Sequence, residues 1–196
     1  MGLRSIVSVS VIVCSFFQIG RREAAVTMER ENFLAVLEDS YSAYYTIREN
    51  EDMTGLPLAF KADYFSRNEK YWLTKSVKIW GNETNELCYV FSAPRFDAES
   101  VARCLDYVIA DAQPRVKPHK EHQYTNFKAV FVADAFDEEA KKAVKKSSYS
   151  KSYKFSLHGY TELLAAAVDL SDCSVVTNKA GYPLVKYFRK LFDARK

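Results

Sequence analysis

Two kinds of hydrophobic pattern run along the chain, and helical spacing accounts for four segments. From Phe33 to Ile47, apolar residues recur every three or four positions between charged ones, as they do on one face of a helix. Asp97 can cap a second helix through its side-chain oxygen. Phe96 and Val101, on either side of the cap, are placed to form a hydrophobic staple. The charged segment Asp137–Ser147 and a segment that begins at Pro183 complete the set of four predicted helices.

Short segments that alternate, or that are apolar throughout, predict strands. Leu58–Phe65 alternates between apolar and polar residues, Ser66–Glu69 is polar, and Tyr71–Trp80 alternates again, which together predict a β-hairpin. Leu87–Phe91 and Ala129–Ala133 are wholly apolar, which is typical of strands covered on both faces. Further strands are predicted over Ser152–His158, Leu163–Leu170 and Ser174–Thr177.

The predicted elements follow the order αβββαβαβββα along the chain. The strands Leu87–Phe91 and Ala129–Ala133 are each followed by a phenylalanine, an aspartate and a helix with acidic residues at its start, where the helix dipole favours them. This recurring junction indicates crossover connections and hence some parallel pairing. We therefore expect an α/β or α+β fold in which helices flank a single mixed β-sheet.

Residues 1–27 differ in composition from the rest of the chain. Ser5–Phe17 is an apolar run with the length of a signal-peptide core, which is too short to span a bilayer, and two arginines stand where a cleavage site needs small residues. We favour a translation start at Met28, with a signal or anchor segment as the alternative. The expectation is one α/β domain over 28–196, cytoplasmic and without a stable membrane span.

Composition and cysteine content fit a globular protein of the cytoplasm. The 196 residues are 48% hydrophobic and 27% charged, which suits one domain with a sizeable core. The four cysteines are far apart and none lies in a C-x-x-C pair. Cys88 falls in an apolar strand and Cys104 on the apolar face of a helix, so both are predicted to be core residues. A disulfide framework is not expected, and a reducing compartment fits better.

Charge is divided unevenly along the chain. Residues 141–196 contain twelve Lys or Arg and four Asp or Glu, a net charge of +8, whereas residues 1–140 have a net charge of −5. The final helix carries more cations than a helix dipole needs, beside two tyrosines. It is the best candidate surface for contact with phosphate, although a solvated face that keeps the protein soluble is the more expected interpretation of the charge. The candidate residues are Lys179, Lys186, Arg189, Lys190 and Arg195.

Two histidines, His119 and His122, stand three residues apart after a proline. A zinc site needs at least three protein ligands, and no cysteine or third histidine lies at a recognisable spacing. The pair is a candidate for metal binding, but a polar surface loop is the expectation. His158 is expected to be a partly exposed residue at a strand end, because no nucleophile or acid at a suitable spacing supports a catalytic role.

The element order over residues 33–133 resembles the core of the PD-(D/E)XK superfamily of restriction-endonuclease-like nucleases. Such enzymes hold a divalent metal between an Asp and a Glu, and a Lys positions the attacking water. In this chain the candidates for these roles are Asp63, Glu86 and either Lys75 or Lys78. Asp63, however, lies on the first strand of the predicted hairpin rather than the second, and neither lysine has an acid two residues before it. This chain departs from the E-x-K motif, because a cysteine stands where the lysine belongs.

A second resemblance covers most of Met28–Lys196. It is carried by four segments, which read N-E-K-Y-W-L-T-K from Asn68, R-V-K-P-H-K-E-H from Arg115, L-H-G-Y from Leu157 and V-T-N-K-A-G from Val176. These segments are similar to those of a prokaryotic family of unknown function. The resemblance implies a natural domain that begins near Met28, and it implies no activity.

Three functional hypotheses follow. The first is a non-catalytic binding or regulatory module with a basic C-terminal face, with nucleic acid or an acidic protein as its partner and no cofactor. The alternative is a divergent metal-dependent hydrolase, which requires Asp63 and Glu86 to converge around a divalent cation. The third is a protein-interaction domain with no small ligand. We favour the first and the third, so an enzyme is the less expected class.

Overall fold

One mixed sheet of seven strands, flanked by four α-helices, makes up the described part of the protein. The computed structural model describes residues 30–49, 55–71 and 78–193. Helix α1 spans residues 30–42. The other elements are β1 (Thr46–Glu49), β2 (Leu58–Tyr71), β3 (Lys78–Phe96), α2 (Ala98–Ala112), β4 (His122–Phe136), α3 (Glu138–Lys146), β5 (Ser150–Ser152), β6 (Tyr160–Asp169), β7 (Ser174–Thr177) and α4 (Tyr182–Asp193), with a 3₁₀ turn at Gln113–Arg115. The predicted order αβββαβαβββα is confirmed.

The sheet combines parallel and antiparallel pairing. Its strand order is β1-β2-β3-β4-β6-β5, and β7 also pairs with β6. The pairs β3–β4 and β4–β6 are parallel, whereas β1–β2, β2–β3, β5–β6 and β6–β7 are antiparallel. The parallel pairs are those joined through α2 and α3, since a parallel connection must cross from one end of the sheet to the other. The mixed sheet predicted from the recurring junction is therefore confirmed.

Each face of the sheet has its own hydrophobic core. Alternate residues of the central strands point to opposite faces, so Phe91 and Phe131 pack with α2 and α3, whereas Val90 and Val130 pack with α1 and α4. We call these the α2/α3 face and the α1/α4 face. The rings of Phe91 and Phe131 stack with their centroids 5.4 Å apart. Burial on both faces explains why Leu87–Phe91 and Ala129–Ala133 are apolar throughout.

The first part of the chain differs from the prediction in where the strands lie. The helix predicted to reach Ile47 ends at residue 42, and 46–49 forms β1 instead. The polar stretch Ser66–Glu69 lies inside β2 rather than in a turn. The predicted strand Leu87–Phe91 and the last residues of the one predicted over Tyr71–Trp80, from Lys78, belong to one long strand, β3, whereas residues 72–77 lie outside the described part. Antiparallel pairing along the β2–β3 ribbon, with Ser66 opposite Thr84, satisfies the backbone there and overrides the local turn signals.

The strand predicted over Ser152–His158 is also wrong. Strand β5 ends at Ser152, and three successive residues of the following loop, Lys154, Phe155 and Ser156, have φ values of 46°, 55° and 67°. This left-handed backbone cannot continue a strand. The alternation of apolar and polar residues there did not reflect burial, because the side chain of Phe155 is fully solvent-exposed.

Predictions for the cysteines and for the chain ends have different outcomes. Cys88 and Cys104 are buried and free, as expected for core residues, and Cys173 is an exposed free thiol. The predictions about residues 1–27 lie outside the described residues. Among the helices that the structure describes, none is long and apolar enough to cross a membrane.

Candidate binding cleft

The residues predicted for a hydrolase do not come together. Asp63 pairs across the ribbon with Leu87, which is buried on the α2/α3 face, and its carboxylate accepts from Arg115 at 2.5 Å. Glu86 precedes Leu87 in the strand and therefore points to the α1/α4 face. Lys75 lies outside the described residues. Lys78 begins β3, and its side chain is outside the described part as well. A sheet thus separates the two carboxylates, whereas a shared metal requires them on one side.

The two histidines are occupied by other partners. His122 is buried at the start of β4, where its Nδ1 donates to the carbonyl oxygen of His158 at 2.8 Å and its Nε2 lies 2.9 Å from the Thr125 hydroxyl. His119 Nε2 lies 2.7 Å from a carboxylate oxygen of Glu83. The expectation of an exposed loop was therefore wrong for His122, because the turn through His158 folds over its ring. No group of three or more potential metal ligands occurs among the described residues.

The predicted basic residues form an exposed surface on and before α4. Lys186, Arg189 and Lys190 follow the three- and four-residue spacing of one helix side, and all three are exposed, as is Lys179. Within the part of the chain that the structure describes, none of these four forms an ion pair. Arg195 lies outside that part. We call Lys186, Arg189 and Lys190 the basic flank of α4.

A cleft of about 380 Å³ opens between α1, α4 and the sheet. Its walls are largely aromatic: the ring centroids of Tyr41 and Tyr45 are 4.7 Å apart, and those of Tyr41 and Tyr187 are 6.0 Å apart. The hydroxyls of Ser40 and Tyr187 lie 2.9 Å apart and connect the two helices across the cleft. We call it the tyrosine cleft; it is lined by Ser40, Tyr41, Tyr44, Tyr45, Glu86, Asn126, Lys128, Leu164, Pro183, Leu184 and Tyr187.

A polar cluster lies at the floor of the tyrosine cleft. Lys128 Nζ lies 2.5 Å from a carboxylate oxygen of Glu86 and 3.0 Å from the hydroxyl of Tyr45, and Tyr45 donates to the same carboxylate. The side chains of Lys128 and Glu86 are only 11% and 17% exposed, so the pair is largely desolvated and its partners depend on each other. Burial, followed by the contact with Glu86, raises the pKa of Tyr45 well above its ordinary value, so this hydroxyl stays a donor.

This cluster was not predicted from the sequence, although one signal of it was present. Lys128 stands among apolar residues at the start of a buried strand, and a lysine is seldom buried without a partner. Its partners come from β3 and from the turn between α1 and β1, 42 and 83 residues away in the chain. Their convergence depends on strand order and register, which local patterns do not contain.

Asn126 adds an unpartnered amide to the cleft floor. It precedes Lys128 by two residues in β4, so both side chains point to the α1/α4 face, and both line the cleft. The Asn126 side chain forms no hydrogen bond with another described residue. An amide carries two donor hydrogens and an acceptor oxygen, so Asn126 can pair with a ligand that presents both kinds of group.

A second cleft, of about 560 Å³, is lined in part by Asp63, Arg48 and Arg115. Asp63 accepts from Arg48 at 2.9 Å and from Arg115 at 2.5 Å, and Arg115 also donates to the Tyr89 hydroxyl at 3.3 Å. Burial lowers the pKa of Arg115, but the adjacent Asp63 and Tyr89 outweigh that effect and raise it. Because its arginines already bind protein carboxylates, this cleft is the weaker candidate for a ligand.

The basic flank of α4 borders the tyrosine cleft. Pro183 and Tyr187 line the cleft, and Lys186 and Lys190 each follow one of them by three residues. Residues at that spacing are neighbours on a helix surface. A ligand whose ring enters the cleft would therefore bring an attached anionic group close to these lysines.

The fold and the cleft define a single-sheet α+β domain with an aromatic cleft beside a basic helix. A family model described as "Domain of unknown function (DUF8052)" matches residues 29–190, and the chain belongs to this family. The match confirms the expected membership of a family of unknown function, and it lends no support to a restriction-endonuclease-like core. No curated protein and no solved structure matches the chain.

Proposed function

We propose that the protein is a binding module for single-stranded nucleic acid. Bases enter the tyrosine cleft, and the phosphates that follow contact the basic flank of α4. The observation that carries this proposal is the position of the unpaired cations of α4 beside a cleft walled by tyrosines. Proteins that bind single strands combine these same two elements, aromatic rings for stacking and cations along the backbone path.

The dimensions and chemistry of the cleft support a base as the ligand. A cleft of about 380 Å³ is at the small end of ligand sites, which suits one planar ring system rather than a large cofactor. Tyr44, 78% exposed at the rim, offers a ring to a base that enters. At the floor, Asn126 can both donate to and accept from the exposed edge of an unpaired base.

The long-range charge supports an anionic ligand over a neutral one. The net charge of +8 in residues 141–196 raises the local concentration of anions and speeds their association. An acidic protein partner would use the same charge, but it would not need the cleft. The two ligands are therefore distinguished by substitutions inside the cleft.

Fluorescence anisotropy with a labelled single-stranded oligonucleotide, titrated at several salt concentrations, tests the proposal. The double variant Lys186→Glu/Lys190→Glu should bind at least about tenfold more weakly and show a shallower salt dependence. Lys145→Glu/Lys146→Glu, which makes the same charge change at the exposed end of α3, is the control and should bind nearly as well as the wild type. No binding at low salt, or equal losses in both variants, would contradict the proposal.

The cleft itself is tested by Tyr44→Ala. Loss of a stacking ring should weaken binding by about tenfold and leave the salt dependence unchanged, since no charge is removed. Phe65→Ala is the matched control, because Phe65 is also exposed but does not line the tyrosine cleft. If Tyr44→Ala binds the oligonucleotide like the wild type while the lysine variant is impaired, contact is with α4 alone and the base site is wrong.

A further inference from the structure

The loop over residues 153–159, between β5 and β6, presents two large apolar side chains to solvent. Phe155 is 99% exposed and Leu157 is 75% exposed. Single exposed apolar residues are common, but here two of them lie close together at the tip of one short loop and form a small apolar patch. We call this segment the 153–159 loop.

The loop holds this shape by specific contacts. Lys154, Phe155 and Ser156 all have left-handed backbone angles, which L-residues seldom adopt in succession. Backbone bonds close the loop, from Tyr153 N–H to the Gly159 carbonyl at 3.0 Å and from His158 N–H to the Tyr153 carbonyl at 3.1 Å. Strained backbone of this kind persists only where the surroundings enforce it, so the outward direction of Phe155 is built into the fold.

The loop is anchored to the sheet from below. His122 donates to the His158 carbonyl, and Gly159, with φ of 77°, packs so closely that an added Cβ would lie 2.5 Å from the His122 carbonyl oxygen. These contacts fix the base of the loop, and the Leu157 N–H donates to the Lys154 carbonyl at 3.1 Å across its tip. The tip is therefore a rigid projection rather than a frayed segment.

The surroundings of the tip are basic. No acidic residue occurs between Glu139 and Glu162, and Lys151 and Lys154 are exposed beside the tip. Lys120, also exposed, lines a shallow depression together with Leu157 and the half-buried Glu121, whose carboxylate already pairs with Arg67 at 3.0 Å. Tyr160, 39% exposed at the start of β6, adds a ring with a polar end, the type of side chain that is enriched at membrane interfaces.

We propose that the 153–159 loop binds a lipid surface that carries anionic headgroups. Phe155 and Leu157 enter the boundary between headgroups and acyl chains, and Lys120, Lys151 and Lys154 lie near the lipid phosphates. The combination of a short apolar insertion with a few lysines gives reversible attachment that depends on salt and on lipid charge. This site is independent of the proposed nucleic-acid function.

Shape and residue type favour a lipid surface over other partners. A fluid surface accepts exposed apolar side chains without a matching groove, and the shallow depression that Leu157 lines is otherwise lined mainly by polar residues and glycines. Leu157 is aliphatic and does not stack on bases, which argues against a nucleic-acid strand as the partner. Cations around the tip match an anionic leaflet, whose attraction acts within a Debye length of the surface.

Co-sedimentation of the full chain with phosphatidylcholine vesicles, with and without phosphatidylserine, tests this inference. The wild type should sediment with the vesicles that contain phosphatidylserine, and Phe155→Ser/Leu157→Ser should bind them about tenfold more weakly. Lys151→Glu/Lys154→Glu should lose the preference for the anionic lipid. Phe65→Ser, which removes an exposed phenylalanine elsewhere, is the matched control and should bind like the wild type. Thermal unfolding should be unchanged in Phe155→Ser/Leu157→Ser, because its side chains make no core contacts.

Three results would overturn the inference. The first is a wild type that does not bind vesicles of either composition. The second is Phe155→Ser/Leu157→Ser binding as well as the wild type, which would place the contact in another segment. The third is a loss of oligonucleotide binding in this variant with vesicle binding intact, which would identify the loop as part of the nucleic-acid site. If the protein binds vesicles but not the oligonucleotide, lipid binding by the 153–159 loop is supported and only the proposed nucleic-acid function is contradicted.

Discussion

Single residues hold the elements together at points that no pattern reveals. Asn178, 2% exposed, accepts from the backbone N–H groups of Ala165 and Gly181 at 3.0 and 2.7 Å and donates to the carbonyls of Leu163 and Ser147 at 2.8 and 3.1 Å. It thereby joins β6 to the end of α3 and to the start of α4. The segment that contains it was one of those that carried the family resemblance, yet its role depends entirely on tertiary contacts.

At the same scale, Gly159→Ala should destabilise the protein by about 2 kcal/mol or more, because the left-handed backbone strains an alanine and its Cβ meets the sheet. Gly55→Ala is the matched control. Gly55 has a φ of 70°, close to the 77° of Gly159, but an added Cβ there meets nothing within 4 Å.

Urea unfolding of both variants separates backbone strain from crowding. Gly55→Ala should lower the free energy of unfolding by about 1 kcal/mol or less, because the alanine is strained by the left-handed backbone but meets no neighbouring atom. Equal losses in the two variants would mean that the contact between Gly159 and His122 does not constrain the loop.

At the scale of the elements, helices α2 and α3 follow similar sequences, but their N-termini are capped differently. Asp97 accepts from the Ser100 backbone N–H at 2.7 Å, and the Ser100 hydroxyl accepts from the Asp97 N–H at 3.1 Å, which forms a reciprocal cap for α2. Asp137 occupies the same place before α3 but makes no side-chain cap. Its carboxylate instead accepts from Arg95 at 2.6 Å. The carboxylate of Asp137 is thus held by a neighbouring cation, whereas that of Asp97 caps its helix.

The cap of α2 should give the stability of the protein a defined pH dependence. Hydrogen bonds from Ser100, the backbone N–H first, lower the pKa of Asp97 below its ordinary value of 3.8. A carboxyl with a lowered pKa in the folded state stabilises the fold above the unfolded pKa, and this contribution is lost as the pH falls through the folded pKa. Thermal unfolding midpoints of the wild type and Asp97→Ala should therefore differ at neutral pH and converge in acid.

Asp97→Asn is the control for this effect, because asparagine caps a helix without ionising. Its advantage over Asp97→Ala should persist in acid. If the wild type keeps its full advantage over Asp97→Ala at a pH where the carboxyl is protonated, ionisation of the cap does not contribute.

The whole molecule is organised around β4, which is the fourth of six strands along the main path of the sheet. It pairs with β3 on one side and β6 on the other, and both faces of its middle are buried. By contrast, β1 pairs with one strand only in the sheet order, and β5 is a three-residue strand with every side chain exposed. The two cores share β4, so they should unfold together.

Hydrogen exchange should therefore divide the sheet into a slow centre and fast edges. Backbone amides in the middle of β4 should exchange at least about a hundredfold more slowly than those of β1 and β5, because they open only in global unfolding. Exchange followed by mass spectrometry of peptides from each strand measures this difference. Amides of β1 that are as protected as those of β4 would contradict a shared central core.

Much of the fold was predictable from the sequence, and the cleft was not. Leu87–Phe91, Ala129–Ala133 and Ser174–Thr177 lie in strands as predicted, whereas Ser152–His158 alternates in sequence without being a strand throughout. For the cleft, the exposed cations of α4 were predicted from composition and helical spacing. Its tyrosine walls and its polar floor were not, because their members come from α1, β3, β4 and α4.

By itself, the sequence determined the order of the elements, the positions of α2, α3 and α4 and the two buried central strands, because periodicity and continuous apolar runs are properties of neighbouring residues. Tertiary structure alone decided the face on which each polar side chain lies, since that depends on strand register and on the packing of distant elements. It placed Asp63 and Glu86 on opposite sides of the sheet, and it brought Tyr45 and Lys128 to one carboxylate. A one-residue change of register would reverse every such assignment.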